Sequence, residues 1–342
     1  MTLEVEQSPV LLAEEVERLI GELTLTEKCT MLSGADIWRV PGCPRLGIPS
    51  WRTSDGPVGV RGREMTLPGL VIPGPSAIAA TWDTTLVEQL GDALGEEAVD
   101  RDVDLLLAPT VNLHRSPRGG RHFECLSEDP ELTARIAVAY INGVQSRGVG
   151  ACIKHFIAND QEHERMTIEA RVDERTLREV YLRPFEAGVH EASVRSVMAS
   201  YNFVNGHHAT AQPELLQGVL RDEWGFDGVV VSDWVATKET VAPALHGLTW
   251  RCPDRDETGV RASSRPRWPR GTCRSRSWTT RCVVSCTSWP GGADSRVRTP
   301  TPLSAPSTAP STAPSRGGPR LRAWCCCATT GSCRLLPARR SR

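Results

Sequence analysis

The chain has 342 residues, enough for one large barrel or two average domains, and its net charge of -1 hides an uneven distribution. Residues 1–250 carry 22 Lys and Arg against 37 acidic residues, whereas residues 251–342 carry 18 Arg against four acidic residues. No run approaches the roughly 20 apolar residues of a membrane span, and residues 1–10 lack the basic and apolar regions of a secretory signal. We therefore expect a cytoplasmic protein with no membrane partner.

The first 250 residues alternate between helical and strand patterns, with polar residues after each strand. This alternation is typical of a parallel α/β fold, and we expect an α/β domain of the (β/α)8 TIM-barrel-like type. The spacing of apolar and capping residues predicts helices over residues 11–23, 24–32, 85–99, 131–146, 173–181 and from 213, and strands over residues 103–108, 149–153, 196–202 and 227–234.

The strand over residues 227–234 is the clearest of these elements. Three consecutive valines form a β-branched run that indicates a strand buried on both faces. Asp233 stands at the carboxyl end of this strand, where an α/β barrel keeps its chemistry. Trp234 beside it offers a flat apolar face that suits the CH-rich face of a sugar ring. The alternative is that Asp233 merely caps a helix over residues 237–241.

Other predicted strands also end in polar residues, which would meet at one mouth of a barrel. Arg, Lys and His donors together with an Asp acceptor suit a polyol such as a pyranose. The residues are Asp55, Arg121 with Glu124, Lys154, His155, Arg165, Tyr201 and Asp233.

Alternatives remain for several of these residues. Lys154 could form a Schiff base, as in an aldolase-type barrel, and Arg165 could be a solvated loop charge. The spacing of His155 and His163 matches no metal motif, and the four cysteines before residue 250 share no metal spacing. We expect no metal and no other cofactor.

Residues 251–342 differ in kind from the rest. They contain no Ile, Phe, Tyr, Met, Lys, Asn, Gln or His, and residues 304–315 repeat Ser, Thr, Ala and Pro. Such a composition cannot bury enough apolar surface to offset its ordering entropy, so we expect a disordered low-complexity tail. Its positive charge alone is typical of a nucleic-acid-binding arm.

Taken together, residues from about 22 to 248 resemble the N-terminal barrel domain of family 3 glycoside hydrolases, the β-glucosidase group. Seven segments occur in the family's order. They are Ser54-Asp-Gly-Pro-Val-Gly-Val-Arg61, Ala108-Pro-Thr-Val-Asn112 with Arg115-Ser-Pro-Arg-Gly-Gly-Arg-His-Phe-Glu124, Ser127-Glu-Asp-Pro130, Lys154-His-Phe-Ile-Ala-Asn-Asp160, Glu164-Arg165, Met198-Ala-Ser-Tyr-Asn202 with Val204-Asn-Gly206, and Val231-Ser-Asp-Trp234.

The resemblance implies a retaining exo-β-glycosidase that hydrolyses terminal non-reducing β-D-glucosyl or related residues of a β-linked oligosaccharide or glycoside. Asp233 matches the nucleophile that forms the covalent glycosyl intermediate, and Trp234 matches an aromatic wall. The remaining matched residues would grip the sugar next to the nucleophile: Asp55, Arg121, Lys154, His155, Arg165 and Tyr201. A retaining mechanism also needs a second carboxylic acid about 5–5.5 Å from the nucleophile.

That second acid has no counterpart here. In this branch of the family it is a Glu in a C-terminal sandwich domain, and the last barrel strand reads roughly Gly-Leu-Asp-Leu-Glu-Met-Pro-Gly-Pro. GC-rich codons for that run, read after deletion of one G, give Leu-Thr-Trp-Arg-Cys-Pro-Asp-Arg, which is Leu248–Arg255.

We therefore expect a family barrel over residues 1–248, incomplete at its last strand, and an out-of-frame tail over residues 249–342. Loss of the last strand should leave an unpaired edge. Without the general acid, activity of this chain should be low, and the alternative is a catalytically dead remnant with weak sugar binding. An out-of-frame origin also explains the abundant Arg, so we expect no nucleic-acid partner.

Overall fold

The computed structural model describes residues 9–62 and 68–252. Within these ranges, none of the helices is long and apolar enough to cross a membrane. The α-helices are α1 Pro9–Glu22, α2 Leu25–Met31, α3 Pro75–Ala79, α4 Thr84–Asp100, α5 Pro130–Gln145, α6 Glu174–Thr176, α7 Arg183–His190 and α8 Val241–Leu245. The strands are β1 Arg39–Val40, β2 Trp51–Asp55, β3 Leu105–Leu107, β4 Gly150–Phe156, β5 Glu169–Ala170, β6 Ser196–Ala199, β7 Phe203–Val204, β8 His207–His208 and β9 Val229–Ser232. Short 3₁₀ and π helices lie over Pro44–Leu46, His122–Glu124, Leu177–Tyr181, Ala209–Ala211 and Pro213–Glu223.

The domain is built around a six-stranded sheet. Its strand order is β1-β2-β3-β4-β6-β9. β1 pairs antiparallel with β2, and the remaining neighbours are parallel. The central strands follow one another in the chain with helices between them. This βα repeat confirms the predicted TIM-barrel-like α/β class, and it brings the carboxyl ends of five parallel strands to one edge.

Both faces of the parallel strands are buried, as the valine-rich strand pattern predicts. Leu106, Ile153, Val197 and Val230 point into an apolar layer shared with the helices. The alternate residues of the same strands pack inside the curved sheet together with α1 and α2. The residues of this inner layer include Leu105, Leu107, Cys152, Met198, Val229 and Val231.

Helix starts follow the side-chain signals in the sequence. Thr24 and Glu27 form the predicted capping box of α2, and Asp129 accepts a hydrogen bond from the Leu132 amide at the start of α5. The helix predicted over residues 237–241 is wrong, because α8 begins at Val241. Asp233 therefore caps no helix there, and its carboxylate is available for other partners.

Residues 249–252, which the sequence assigns to the tail, lie along the outer edge of β9. The Thr249 amide donates to the Val230 carbonyl at 2.8 Å, and the Ser232 amide donates to the Trp250 carbonyl at 3.0 Å. On the other side, the Arg251 amide donates to the Leu32 carbonyl at 3.1 Å. This edge of β9 is thus paired, in contrast to the unpaired edge that the sequence predicts.

Side chains anchor the same segment. The Trp250 ring is 1% exposed and packs against the Trp51 ring, with ring centroids 5.5 Å apart. The Thr249 hydroxyl accepts a hydrogen bond from Arg221 Nη2 at 3.0 Å. A β-branched residue followed by an aromatic one suits a buried strand. This explains why residues 249–252 can pair with the outer edge of β9. The predicted disorder of the tail otherwise concerns residues 253–342, which lie outside the described residues.

Candidate active site

Asp233 lies at the centre of the polar groups gathered at the carboxyl edge of the sheet. It directly follows β9, and its amide donates to the Ala199 carbonyl of the neighbouring β6 at 3.0 Å, which fixes its backbone. The residue is 6% exposed. Its Oδ1 accepts hydrogen bonds from the Tyr201 hydroxyl and from the Trp234 amide, both at 2.7 Å. The carboxylate is therefore held in one orientation.

Burial raises the pKa of Asp233 above its ordinary value. The Tyr201 hydrogen bond, the Lys154 charge and the Trp234 amide all act in the opposite direction, but they do not fully offset the loss of water. Neighbouring cations ordinarily lower the pKa of a carboxylate. For Asp233 desolvation is the larger effect, so its ionisation depends on the hydrogen-bond donors around it.

Asp55 ends β2 and forms the second carboxylate of the site. Its Oδ1 lies 3.0 Å from Lys154 Nζ, and Arg61 is 4.0 Å from its other oxygen. Burial raises the pKa of Asp55, yet the charges of Lys154, Arg61 and Arg121 together hold it below the ordinary value. Lys154 itself is buried near the end of β4, so the pair places one anion and one cation at the mouth. An ion-paired ammonium fits hydroxyl binding better than the Schiff-base alternative.

We expect Lys154→Met to destabilise the domain near neutral pH by about 1–3 kcal/mol. This is less than the ~3–5 kcal/mol typical of breaking a fully buried pair, because the Asp55 side chain is 34% exposed. Asp55 has a depressed pKa in the folded state, so the pair stabilises above the unfolded pKa and its effect is lost as pH falls through the folded pKa. Urea unfolding should therefore show a difference in the free energy of unfolding between the native protein and the variant. This difference should become smaller as the pH falls below the ordinary range of Asp pKa values. A difference in the free energy of unfolding that stays constant with pH would show that the ion pair of Asp55 and Lys154 does not stabilise the domain in this way.

His155 follows Lys154 and is enclosed by polar partners. Its Nδ1 lies 3.0 Å from Asn112 Oδ1, and its Nε2 lies 3.1 Å from Arg121 Nη2. Asp233 Oδ2 is 3.6 Å from the same Nε2. Burial, followed by the charges of Arg121, Lys154 and Arg165, holds the pKa of His155 well below its ordinary value. The imidazole is therefore neutral, and its contact with Asp233 is not an ion pair.

The two arginines of the site are tied together by an acidic residue. Glu162 lies 2.7 Å from Arg165 Nη1 and 3.7 Å from Arg121 Nη1, and Arg121 also pairs with Glu124. The Arg165 guanidinium stands over the Tyr201 ring, 4.5 Å from its centroid. Arg165 is thus held against the site rather than left as a solvated loop charge. Each planar guanidinium is fixed in direction, which suits bidentate recognition of neighbouring hydroxyls.

Two packed tryptophan rings, Trp38 and Trp234, lie beside the polar groups of the site. The Trp234 ring packs against the Trp38 ring with centroids 5.2 Å apart, and Trp234 Nε1 donates to the Ile37 carbonyl at 3.2 Å. The indole is therefore held rigidly beside Asp233. A fixed aromatic face next to a carboxylate and several donors is the arrangement that binds a sugar ring with its polar edge inward.

The eight residues that the family resemblance assigns to the site lie together at this edge of the sheet, and Glu124 lies with them on Arg121: Asp55, Arg121, Lys154, His155, Arg165, Tyr201, Asp233 and Trp234. Sequence reasoning missed Glu162, Asn112 and Trp38. The Glu162–Arg165 spacing of three residues was the available signal for the first of them. Asn112 and Trp38 come from distant segments, and only the fold brings them to His155 and Trp234. Within residues 9–62 and 68–252, no group of three or more His, Cys, Asp or Glu could hold a metal ion.

Comparisons with known proteins agree with this geometry. Residues 21–251 match the model of the glycosyl hydrolase family 3 N-terminal domain. A β-glucosidase of Rhizobium radiobacter is 50% identical over 254 residues, which cover 72% of this chain and 31% of that protein. The thermostable β-glucosidase B of Acetivibrio thermocellus is 44% identical over 257 residues, which cover 70% of this chain and 34% of that protein. The chain thus spans about a third of the length of these curated relatives.

Solved structures show the same likeness. β-Glucosidase 3B from Thermotoga neapolitana, in a complex with glycerol, superposes with a TM-score of 0.74 at 36% identity, covering 80% of this chain and 42% of that one. The glucose complex of the same enzyme gives a TM-score of 0.73 at 35% identity, covering 81% and 44%. The structural similarity therefore covers about four fifths of this chain.

Proposed function

The chain belongs to glycosyl hydrolase family 3, and from this we propose that its barrel acts as a retaining exo-β-glycosidase, with β-glucosides as the substrate class. The observation that carries the proposal is the setting of Asp233. Its Oδ1 accepts two hydrogen bonds, from Tyr201 and Trp234. Oδ2, which accepts no hydrogen bond from the residues that the structure describes, is the oxygen that attacks.

The reaction has two steps. Asp233 Oδ2 forms a bond to the anomeric carbon, while the bond from that carbon to the leaving-group oxygen breaks and its electron pair goes to that oxygen. A proton donor neutralises the leaving oxygen. Water then attacks the anomeric carbon of the glycosyl ester and gives one proton to the conjugate base of the donor or to solvent. The bond from that carbon to Asp233 Oδ2 breaks, which returns the carboxylate and releases the sugar. Asp55, Lys154, His155, Arg121 and Arg165 hold the sugar hydroxyls during both steps.

We assign proton donation to the leaving group to none of the residues that the structure describes. Such general-acid help typically contributes about 10²–10⁴-fold, and the resemblance assigns it to a Glu in a domain that follows the barrel. We propose that residues 249–342 are read out of frame and do not supply that domain. Sequencing the DNA across the codons for Gly247–Arg255 tests this: an additional G would restore the family reading frame, and an unchanged sequence would show that the shift belongs to the gene.

An activated aryl β-glucoside tests the catalytic proposal, because its leaving group needs little protonation. We expect a stoichiometric burst of phenolate from this chain, followed by slow turnover. Unactivated disaccharides should be cleaved far more slowly. Binding of glucose without any burst would instead indicate a sugar-binding remnant.

Tyr201→Phe should shift the pH dependence of the burst. The Tyr201 hydrogen bond lowers the pKa of Asp233, which burial raises. Its removal raises the Asp233 pKa further, so the ionised nucleophile is lost at higher pH as the solution is acidified. We expect the acidic limb of the rate profile to move to higher pH, and an unmoved acidic limb would show that Tyr201 does not tune Asp233.

A further inference from the structure

Asn112 surrounds His155 with three hydrogen bonds. Its Oδ1 accepts from the His155 amide at 2.9 Å and lies 3.0 Å from His155 Nδ1, and its Nδ2 donates to the His155 carbonyl at 3.0 Å. Both residues are buried. Asn112 makes no contact with the nucleophile itself among the described hydrogen bonds, so any influence on the reaction passes through His155.

The backbone of His155 decides which way the Asn112 amide faces. An amide N–H can only donate and a carbonyl can only accept, so the atom that meets the His155 N–H must be Oδ1 and the atom that meets the carbonyl must be Nδ2. Oδ1 is an acceptor, and the ring nitrogen facing it must therefore carry the proton. The imidazole is consequently protonated at Nδ1.

Arg121 leads to the same tautomer independently. Its guanidinium has donors and no acceptor, and its Nη2 lies 3.1 Å from His155 Nε2. This nitrogen therefore offers a lone pair rather than a proton. Asp233 Oδ2, 3.6 Å away, is also an acceptor, so no hydrogen bond joins His155 to the nucleophile.

We propose that Asn112 is a positioning residue that locks His155 in its neutral Nδ1–H tautomer, so that Nε2 and Asp233 Oδ2 stand side by side as two acceptors. Because Nε2 accepts from Arg121 and carries no proton to donate to Oδ2, that oxygen keeps its lone pairs for the anomeric carbon, which is the part of the inference that rests on the proposed glycosidase function. A doubly protonated His155 would instead donate to Asp233 and reduce its nucleophilicity. The charged groups around the imidazole are Arg121, Lys154, Arg165 and Asp233.

The test combines ring-¹⁵N histidine spectra of the full chain with Asn112 variants. A His155→Gln protein identifies the His155 signals among the eight histidines. The native protein should show the Nδ1–H tautomer alone and remain neutral across the usual histidine range of about pH 5–8. Asn112→Asp should raise the pKa of His155 by about 1–3 units, because a carboxylate would then face Nδ1. Asn202→Leu is the matched control, since Asn202 is equally buried but bonds the Ile157 carbonyl instead, and it should leave the His155 signals unchanged.

A kinetic readout separates this role from simple support of the fold. In the Asn112→Asp protein, labelling of Asp233 by an activated 2-fluoro glucoside should fall about tenfold or more while His155 is charged, and it should recover as pH rises through the new pKa. An Nε2–H tautomer in the native protein, or a His155 that stays neutral in Asn112→Asp, would overturn the inference. Absence of labelling in every variant, the native chain included, would reject the glycosidase proposal and leave the tautomer result standing.

Discussion

Replacing Asp233 by Asn should abolish the burst of phenolate from an activated aryl β-glucoside, with the rate falling by roughly 10⁴–10⁶-fold, the range seen when a covalent nucleophile or its essential partner is removed. An amide has the same shape but cannot form the glycosyl ester. Its oxygen still accepts the hydrogen bonds that Tyr201 and Trp234 donate, so the fold and sugar binding should persist. The measurement is a stopped-flow burst together with glucose binding by calorimetry.

Asp104→Asn provides the control for this change. Asp104 is a half-buried carboxyl whose pKa burial also raises, but it precedes β3 at the opposite edge of the sheet and accepts from the Arg52 amide at 2.7 Å. The burst should survive in that variant. Survival of the burst in Asp233→Asn, or its loss in both variants, would show that the chemistry does not depend on Asp233 as the nucleophile.

Trp250→Ala should lower the free energy of unfolding by about 3–5 kcal/mol, the usual result of truncating a buried large aromatic residue. The Trp250 ring is buried against Trp51, and its backbone carbonyl accepts from the Ser232 amide next to Asp233. At about 2–4 °C per kcal/mol for a domain of this size, the thermal midpoint should fall by roughly 6–20 °C. Circular dichroism of the full chain measures it.

Trp82→Ala is the matched control, since Trp82 is 75% exposed in the same domain. Its replacement should change stability by no more than about 0.5 kcal/mol. If both variants unfold at the native temperature, residues 249–252 do not belong to the folded barrel. In that case the edge of β9 is open after all, and the order described for this segment would be contradicted.

Much of the fold and site follows from local patterns. The valine run of β9 buries both faces, and the polar residues after the strands meet at one edge because parallel strands require it. Asp233 and Tyr201, 32 positions apart in sequence, thereby come within 2.7 Å. The resemblance to family 3 glycoside hydrolases is confirmed by the family match over residues 21–251.

Other features depend on tertiary packing that the sequence does not encode locally. Thr249 and Trp250 differ from the residues that the family resemblance predicts at these positions. Even so, their backbone groups form hydrogen bonds to the edge of β9, and the Trp250 ring packs against the Trp51 ring. The direction of the Asp233 pKa shift depends on how deeply the carboxylate is buried, which residue types alone do not show. Asn112 lies 43 positions from His155, and only the fold brings the two side chains together.

The most direct test of the central claim is to trap the proposed intermediate. The full chain is incubated with an activated 2-deoxy-2-fluoro-β-glucoside, whose leaving group departs without an acid and whose fluorine slows hydrolysis of the ester. We expect a mass increase of one fluoroglucosyl unit per chain, and peptide mapping should locate it on Asp233. A chain that binds glucose but gains no mass, or a label on another carboxylate, would contradict the assignment of Asp233 as the nucleophile.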